Sequence, residues 1–209
     1  LAWIVVAPSS THGAPSSTKS SAATWTTWSS HMNFLILSDE PRLCAEYHAD
    51  VHLNSQLKEA VQVLSTVYGG PYKPTHQNHP CTKWVAASPV NAAWALTLAR
   101  ELHAEWLHRF GKPHGSGLLL PEVSRRMAIS RVLTTSRTPF AQVMPEQYRV
   151  DGDAVAAYRA YYNAEKQGFW VRRAGQPPRW RAAKWTRRPE PAWFIRQPAP
   201  TAPTALPSD

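Results

Sequence analysis

Between Ser88-Pro89 and Gly111 the bulky apolar residues recur as Trp94, Leu98, Leu102, Trp106 and Phe110. Steps of four place them on one face of an α-helix, with a serine N-cap and proline at the start and glycine at the close. So wide a stripe must be covered by other helices. Residues 41–68 carry Leu43, Tyr47, Val51, Leu57, Val61 and Leu64 at helical spacing, begin after Ser38-Asp39-Glu40-Pro41 and stop at Gly69-Gly70-Pro71. A third helix is expected from Val155, Tyr158, Tyr161 and Tyr162 up to Lys166, with shorter helical pieces at 81–85 and 121–133. No alternating β/α rhythm, G-x-G-x-x-G or Walker loop occurs, so a nucleotide-binding α/β fold has no support and nothing calls for a cofactor. The expected class is mainly α, a compact single-domain helical fold with long loops and disordered termini.

The two ends differ from this core. Residues 1–31 are rich in Ser, Thr, Ala and Pro with Lys19 as their single charge, and are expected to be a disordered leader. Ile4-Val5-Val6-Ala7 is too short for a signal peptide or a membrane span, and Met32 is the more natural beginning of a folded domain over 32–196. Within it, 168–183 reads as an inserted loop around Gly175 and Pro177-Pro178. Residues 197–209 hold Pro198, Pro200, Pro203 and Pro207 and read as a disordered tail. Cys44 and Cys81 lack C-x-x-C spacing, which points to free thiols in a reducing, intracellular setting.

The charge is lopsided: 23 Lys+Arg against 14 Asp+Glu gives +9. An anionic partner is expected, with DNA the leading candidate and no membrane. The densest cluster is Tyr47-His48-Ala49-Asp50-Val51-His52, where a continuous helix would stack His48 and His52 on one face and point Asp50 elsewhere. That spacing suits acid/base or phosphate-contact roles. It also suits a metal pair completed by His76, His79 or His103, or plainly one buried and one exposed imidazole. The polar stretch 72–80 continues into Lys83 and is stiffened by Pro74 and Pro80; Asn78 and His79 could equally just cap the next helix. Cys81 beside His79 is a further, weaker nucleophile candidate. The candidate catalytic residues are His48, Asp50, His52, Lys73 and His79, with no metal ligand assigned. Nucleic-acid contacts are expected from Arg42, Lys73, His76, Asn78, Lys83, Arg125, Arg126, Arg172, Arg173, Lys184 and Arg187. The last four belong to a basic, aromatic stretch with Arg179, Trp180, Arg181, Trp185, Arg188, Trp193, Phe194 and Arg196, in which Glu190 is the sole acid. Trp94, Trp106, Phe110, Trp185, Trp193 and Phe194 are expected to pack as core.

Met32-Asn33-Phe34-Leu35-Ile36-Leu37, the 47–52 cluster, the 72–80 stretch, Met144-Pro145-Glu146-Gln147-Tyr148-Arg149, Ala157-Tyr158-Arg159-Ala160-Tyr161-Tyr162, Ala183-Lys184-Trp185 and Pro191-Ala192-Trp193-Phe194 resemble an uncharacterised family of small tailed-phage proteins. In that family residues 168–183 have no counterpart. More distantly, Ala45-Glu46-Tyr47-His48 and the 144–149 segment resemble the phage-type pyrimidine-dimer DNA glycosylases of the endonuclease V type. This resemblance implies a compact all-α enzyme that excises a base and cleaves the abasic sugar, working in the cytoplasm of an infected bacterial host. It places His48 and His52 at DNA-contacting positions. The family carboxylate falls on Ala49, one residue short of Asp50, which is then the expected carboxylate. The family nucleophile is a free N-terminal amine; here the implied amine is that of Met32 if the leader is absent, or of Lys58, Lys73 or Lys83. The rival expectations are a metal-dependent hydrolase or nuclease built on the histidines, and a non-catalytic accessory protein whose basic arm binds nucleic acid.

Overall fold

A computed structural model describes residues 33–129, 136–173 and 176–201. The fold is mainly α. In chain order the helices are α1 (Pro41–Tyr47), α2 (Asp50–Tyr68), α3 (Pro80–Ala87), α4 (Pro89–Phe110), α5 (Leu120–Ile129) and α6 (Ala154–Glu165). Short 3-10 turns occupy Gly117–Leu119 and Glu146–Tyr148, and the strands are β1 (Gly168–Arg173) and β2 (Gln176–Ala182). No helix among the described residues is long and apolar enough to cross a membrane. The expected leader 1–31, Met32, the end of the 121–133 helix and the tail beyond 201 lie outside the described residues.

The helix α4 runs between the boundaries its sequence predicts. The Ser88 hydroxyl accepts from the Val90 N–H, Pro89 opens the helix, and Gly111 ends it in the left-handed region at φ 67°. Trp94, Leu98 and Leu102 are buried, and Trp106 and Phe110 pack on the same core. Helices α1, α2, α3 and α5 all pack against α4.

Through the middle runs the extended segment 34–37, buried and, among the described residues, with no neighbouring strand. Its backbone groups must still be paired, and side chains do it. Gln56 accepts from the Leu35 N–H at 2.9 Å and donates to the Asn33 carbonyl at 2.7 Å. The Leu37 N–H reaches the Cys44 sulfur, and Arg159 donates to the Leu37 carbonyl at 2.9 Å.

Two expectations change here. The predicted single helix over 41–68 is two, because His48 and Ala49 are extended (ψ 132° and 156°) between α1 and α2. The buried Arg109 of α4 holds this break open by donating to the carbonyls of Glu46 (2.9 Å) and His48 (2.8 Å), which would otherwise lack partners at the end of α1. The expected loop 168–183 is an antiparallel hairpin, pairing Phe169 with Arg181, Trp170 with Trp180 and Val171 with Arg179. After it, the segment 183–197 lies back on the helices: Trp185 donates to the Tyr47 carbonyl, the Asp50 N–H to the Lys184 carbonyl, and Asn163 pairs with the backbone of Trp193 and Ile195. Trp185 and Phe194 are buried there, as expected of them.

Candidate functional site

The break between α1 and α2 separates the histidines, so they do not stack on one helical face. His48 is 0% exposed, and its Nδ1 donates to the Cys44 carbonyl at 2.6 Å, which assigns the ring proton to that nitrogen. Burial holds its pKa down at about 4, with the Arg109 charge adding to the effect and the carbonyls of Cys44 and Leu35 opposing it. His52 is 2% exposed, with Nδ1 2.6 Å from the Tyr162 hydroxyl, which also accepts the Ala49 N–H at 2.9 Å. Burial, then the charges of Lys166 and His48, push His52 well below the usual histidine range. Both imidazoles are neutral core groups at pH 7, packed against Tyr162.

Asp50 opens α2, where a carboxylate suits the helix dipole. Its Oδ1 accepts from Arg109 and from the Thr186 N–H, both at 3.0 Å, and its Oδ2 accepts from the Thr186 hydroxyl at 2.7 Å. Arg109, 1% exposed, also donates to Glu105 at 2.6 Å; Glu105 in turn takes two N–H groups from Arg188. Asp50, expected as a catalytic carboxylate, is therefore one node of an ion-pair network joining α1, α2, α4 and the C-terminal segment.

In the polar connector the capping alternative holds for His79. His79 caps α3, its Nδ1 accepting from the Cys81 N–H at 3.2 Å. His76 holds a left-handed backbone (φ 52°) with Nδ1 on the Thr75 hydroxyl. Lys73, Asn78 and Lys83 are exposed. Among the described residues no group of three or more His, Cys, Asp and Glu side chains is placed to hold a metal ion, so the ligand set of His48, His52 and His76 or His79 is not assembled.

Polar groups from three helices converge at Asn33. Its backbone N–H donates to Glu59 Oε2 at 2.9 Å, and Gln56 donates to the same oxygen at 3.0 Å. The Asn33 side-chain oxygen accepts from the Tyr158 hydroxyl at 2.9 Å and faces the Cys81 thiol at 3.7 Å. Glu59 of α2, Cys81 of α3 and Tyr158 of α6 thus converge on one residue. Burial raises the Glu59 carboxyl to about 7, against the pull of the Asn33 and Gln56 hydrogen bonds and the Lys166 and Lys58 charges. Burial also raises the Cys81 thiol to about 12, so it is protonated and no nucleophile at neutral pH. An acid in a helix reads as a solvated surface group, so sequence reasoning passed over Glu59. The available signal was that Gln56 and Glu59 lie a helical turn apart beside the apolar run Leu53, Leu57 and Ala60.

The expected phosphate contacts divide by what already holds them. Arg42 pairs with Glu46 at 3.0 Å, Arg125 and Arg126 share Glu122, and Arg187 donates to the His108 carbonyl. Lys73, Lys83 and Lys184 are exposed and without an ion pair among the described residues. The side chains of Arg172 and Arg173 lie outside the described residues. An open cavity of about 520 Å³ between α4 and α5 is lined by Arg100, His103, Leu118 and Ser124; of the site residues weighed from the sequence it holds only His103, and none of the expected catalytic or nucleic-acid-contacting ones.

No family model matches the chain, and no curated protein or solved structure matches it either.

Proposed function

We propose that the protein binds DNA and acts on it in repair or base modification, in the manner of a pyrimidine-dimer glycosylase/lyase, with Glu59 as the acid/base group. The observation that carries this reading is the Glu59 carboxyl, which titrates near neutrality while hydrogen-bonded to Asn33 and Gln56. A carboxyl tuned this way donates a proton at pH 7 and takes it back, which base excision requires of one group. Lys58 and Lys166 send their charges to the same carboxyl, and one of them, after giving up its proton, is the candidate amine nucleophile. The net charge of +9 supplies the attraction to the polyanion. On this reading His48, His52 and Asp50 support the fold under the site, and the work is done in the cytoplasm of an infected cell.

The test is reductive trapping. The full chain is incubated with duplexes carrying a cyclobutane dimer or an abasic site, and borohydride is added. A covalent protein–DNA adduct that is lost in Lys58→Ala or Lys166→Ala supports imine chemistry. No adduct and no strand cleavage between pH 6 and 8 removes the glycosylase/lyase assignment.

A second reading, a non-catalytic accessory protein that only binds nucleic acid, is favoured by one observation: the 520 Å³ cavity is not lined by Glu59. Salt-sensitive DNA binding without any change to the DNA is its signature.

A further inference from the structure

The hairpin of β1 and β2 leaves the body at Gln167 and returns at Ala183, whose N–H donates to the Gln167 carbonyl at 2.7 Å. The strands pair with each other, and among the described residues no helix packs on them comparably. Alternation along each strand sorts the side chains into two faces. Trp170 and Trp180 share one face, with ring centroids 5.3 Å apart and planes at 62°. This edge-on cross-strand pair stiffens a ribbon that has no third strand. A β-carbon on Gly168 would come within 2.6 Å of the Trp180 ring and 2.3 Å of the Arg181 carbonyl, so glycine is required where the ribbon starts.

The other face carries Phe169, Val171, Arg179 and Arg181. Arg179 and Arg181 are exposed and have no carboxylate partner among the described residues. From Lys166 to Pro189 the sequence has Lys166, Arg172, Arg173, Arg179, Arg181, Lys184, Arg187 and Arg188 and no acid. Residues two apart on a strand are about 6.8 Å apart, the distance over which one DNA strand advances by two phosphates along the helix axis, about 3.4 Å each. A two-stranded ribbon is also narrow enough to enter the major groove.

We propose that this hairpin is a DNA-gripping ribbon that lays Arg179 and Arg181 along the phosphates of duplex DNA. The inference rests on the DNA-binding reading above and adds the element that makes the contact. It is independent of whether Glu59 performs chemistry.

The experiment measures binding of the full chain to a fluorescent 20-base-pair duplex between 50 and 200 mM salt. The variants are Arg179→Ala/Arg181→Ala and, as a control with the same change in net charge at exposed cations away from the hairpin, Lys112→Ala/Arg149→Ala. The hairpin pair is expected to weaken binding roughly tenfold and to reduce the slope of log K against log salt by about 1.8, the value for two phosphate contacts. The control pair is expected to change the slope by less than half that. Equal losses from both pairs, or an unchanged slope in the hairpin variant while the unmodified chain binds, overturn the ribbon and leave the DNA-binding reading standing. Polyglutamate competing as well as duplex at equal charge assigns the hairpin to an acidic protein partner and overturns the proposal. No duplex binding by the unmodified chain at 50 mM salt overturns both readings.

Discussion

Arg109 Nη1 stands 3.0 Å from Asp50 Oδ1 and 2.8 Å from the carbonyl of His48, so one guanidinium fixes both sides of the break between α1 and α2. A buried cation that serves a carboxylate and two helix-end carbonyls cannot be truncated cheaply. Arg109→Ala is expected to destabilise the fold by about 3–5 kcal/mol, read as a lower urea midpoint with an unchanged m-value. Asp50→Asn keeps most of the hydrogen bonds and should cost about 1–2 kcal/mol. A loss below about 1 kcal/mol for Arg109→Ala would deny the network its structural role.

His48 and His52 give the fold an acid-sensitive element. Their folded pKa values lie below the unfolded value near 6.5, so unfolding takes up protons. The stability tied to their neutral forms is complete above pH 6.5 and is lost as pH falls toward about 4. Histidine ring NMR should find both imidazoles neutral at pH 5.5, His48 as its Nδ1–H tautomer. Titration midpoints near 6.5 would show that the rings reach water.

Glu59 acts with the opposite sign. Its folded pKa of about 7 lies above the ordinary 4.5, so its protonated form is the one the fold favours. That contribution is complete below pH 4.5 and is lost as pH rises through about 7. Between pH 5 and 8 the unmodified chain should therefore lose up to about 3 kcal/mol relative to Glu59→Gln. Parallel stability curves for the two proteins would mean that Glu59 titrates as an ordinary exposed carboxyl.

How much of this was legible in the sequence depended on whether the deciding contact was local. The helix α4 was fully readable because Ser88, Pro89 and Gly111 carry its ends chemically. The break at His48-Ala49 was not, because the helical spacing of Tyr47, Val51 and Leu57 runs across it and the group that enforces it lies 61 residues away. The hairpin sent mixed signals. Phe169-Trp170-Val171 reads as a strand, but Pro177-Pro178 argues against one. A two-stranded sheet consists only of edges, so prolines are tolerated in β2. The histidine cluster drew attention by its composition, by a four-residue spacing that assumes an unbroken helix, and by the family resemblance. Burial, which decides whether an imidazole titrates usefully, is a property of the packed fold, and it turned the proposal from His48 and His52 to Glu59.

The most direct measurement is turnover of a dimer-containing duplex at pH 7 by the full chain and by Glu59→Gln, with duplex affinity and melting temperature measured on the same samples. The account predicts that Glu59→Gln binds the duplex within about threefold of the unmodified chain and loses about 100-fold or more in base release. Base release by Glu59→Gln at the unmodified rate would contradict it.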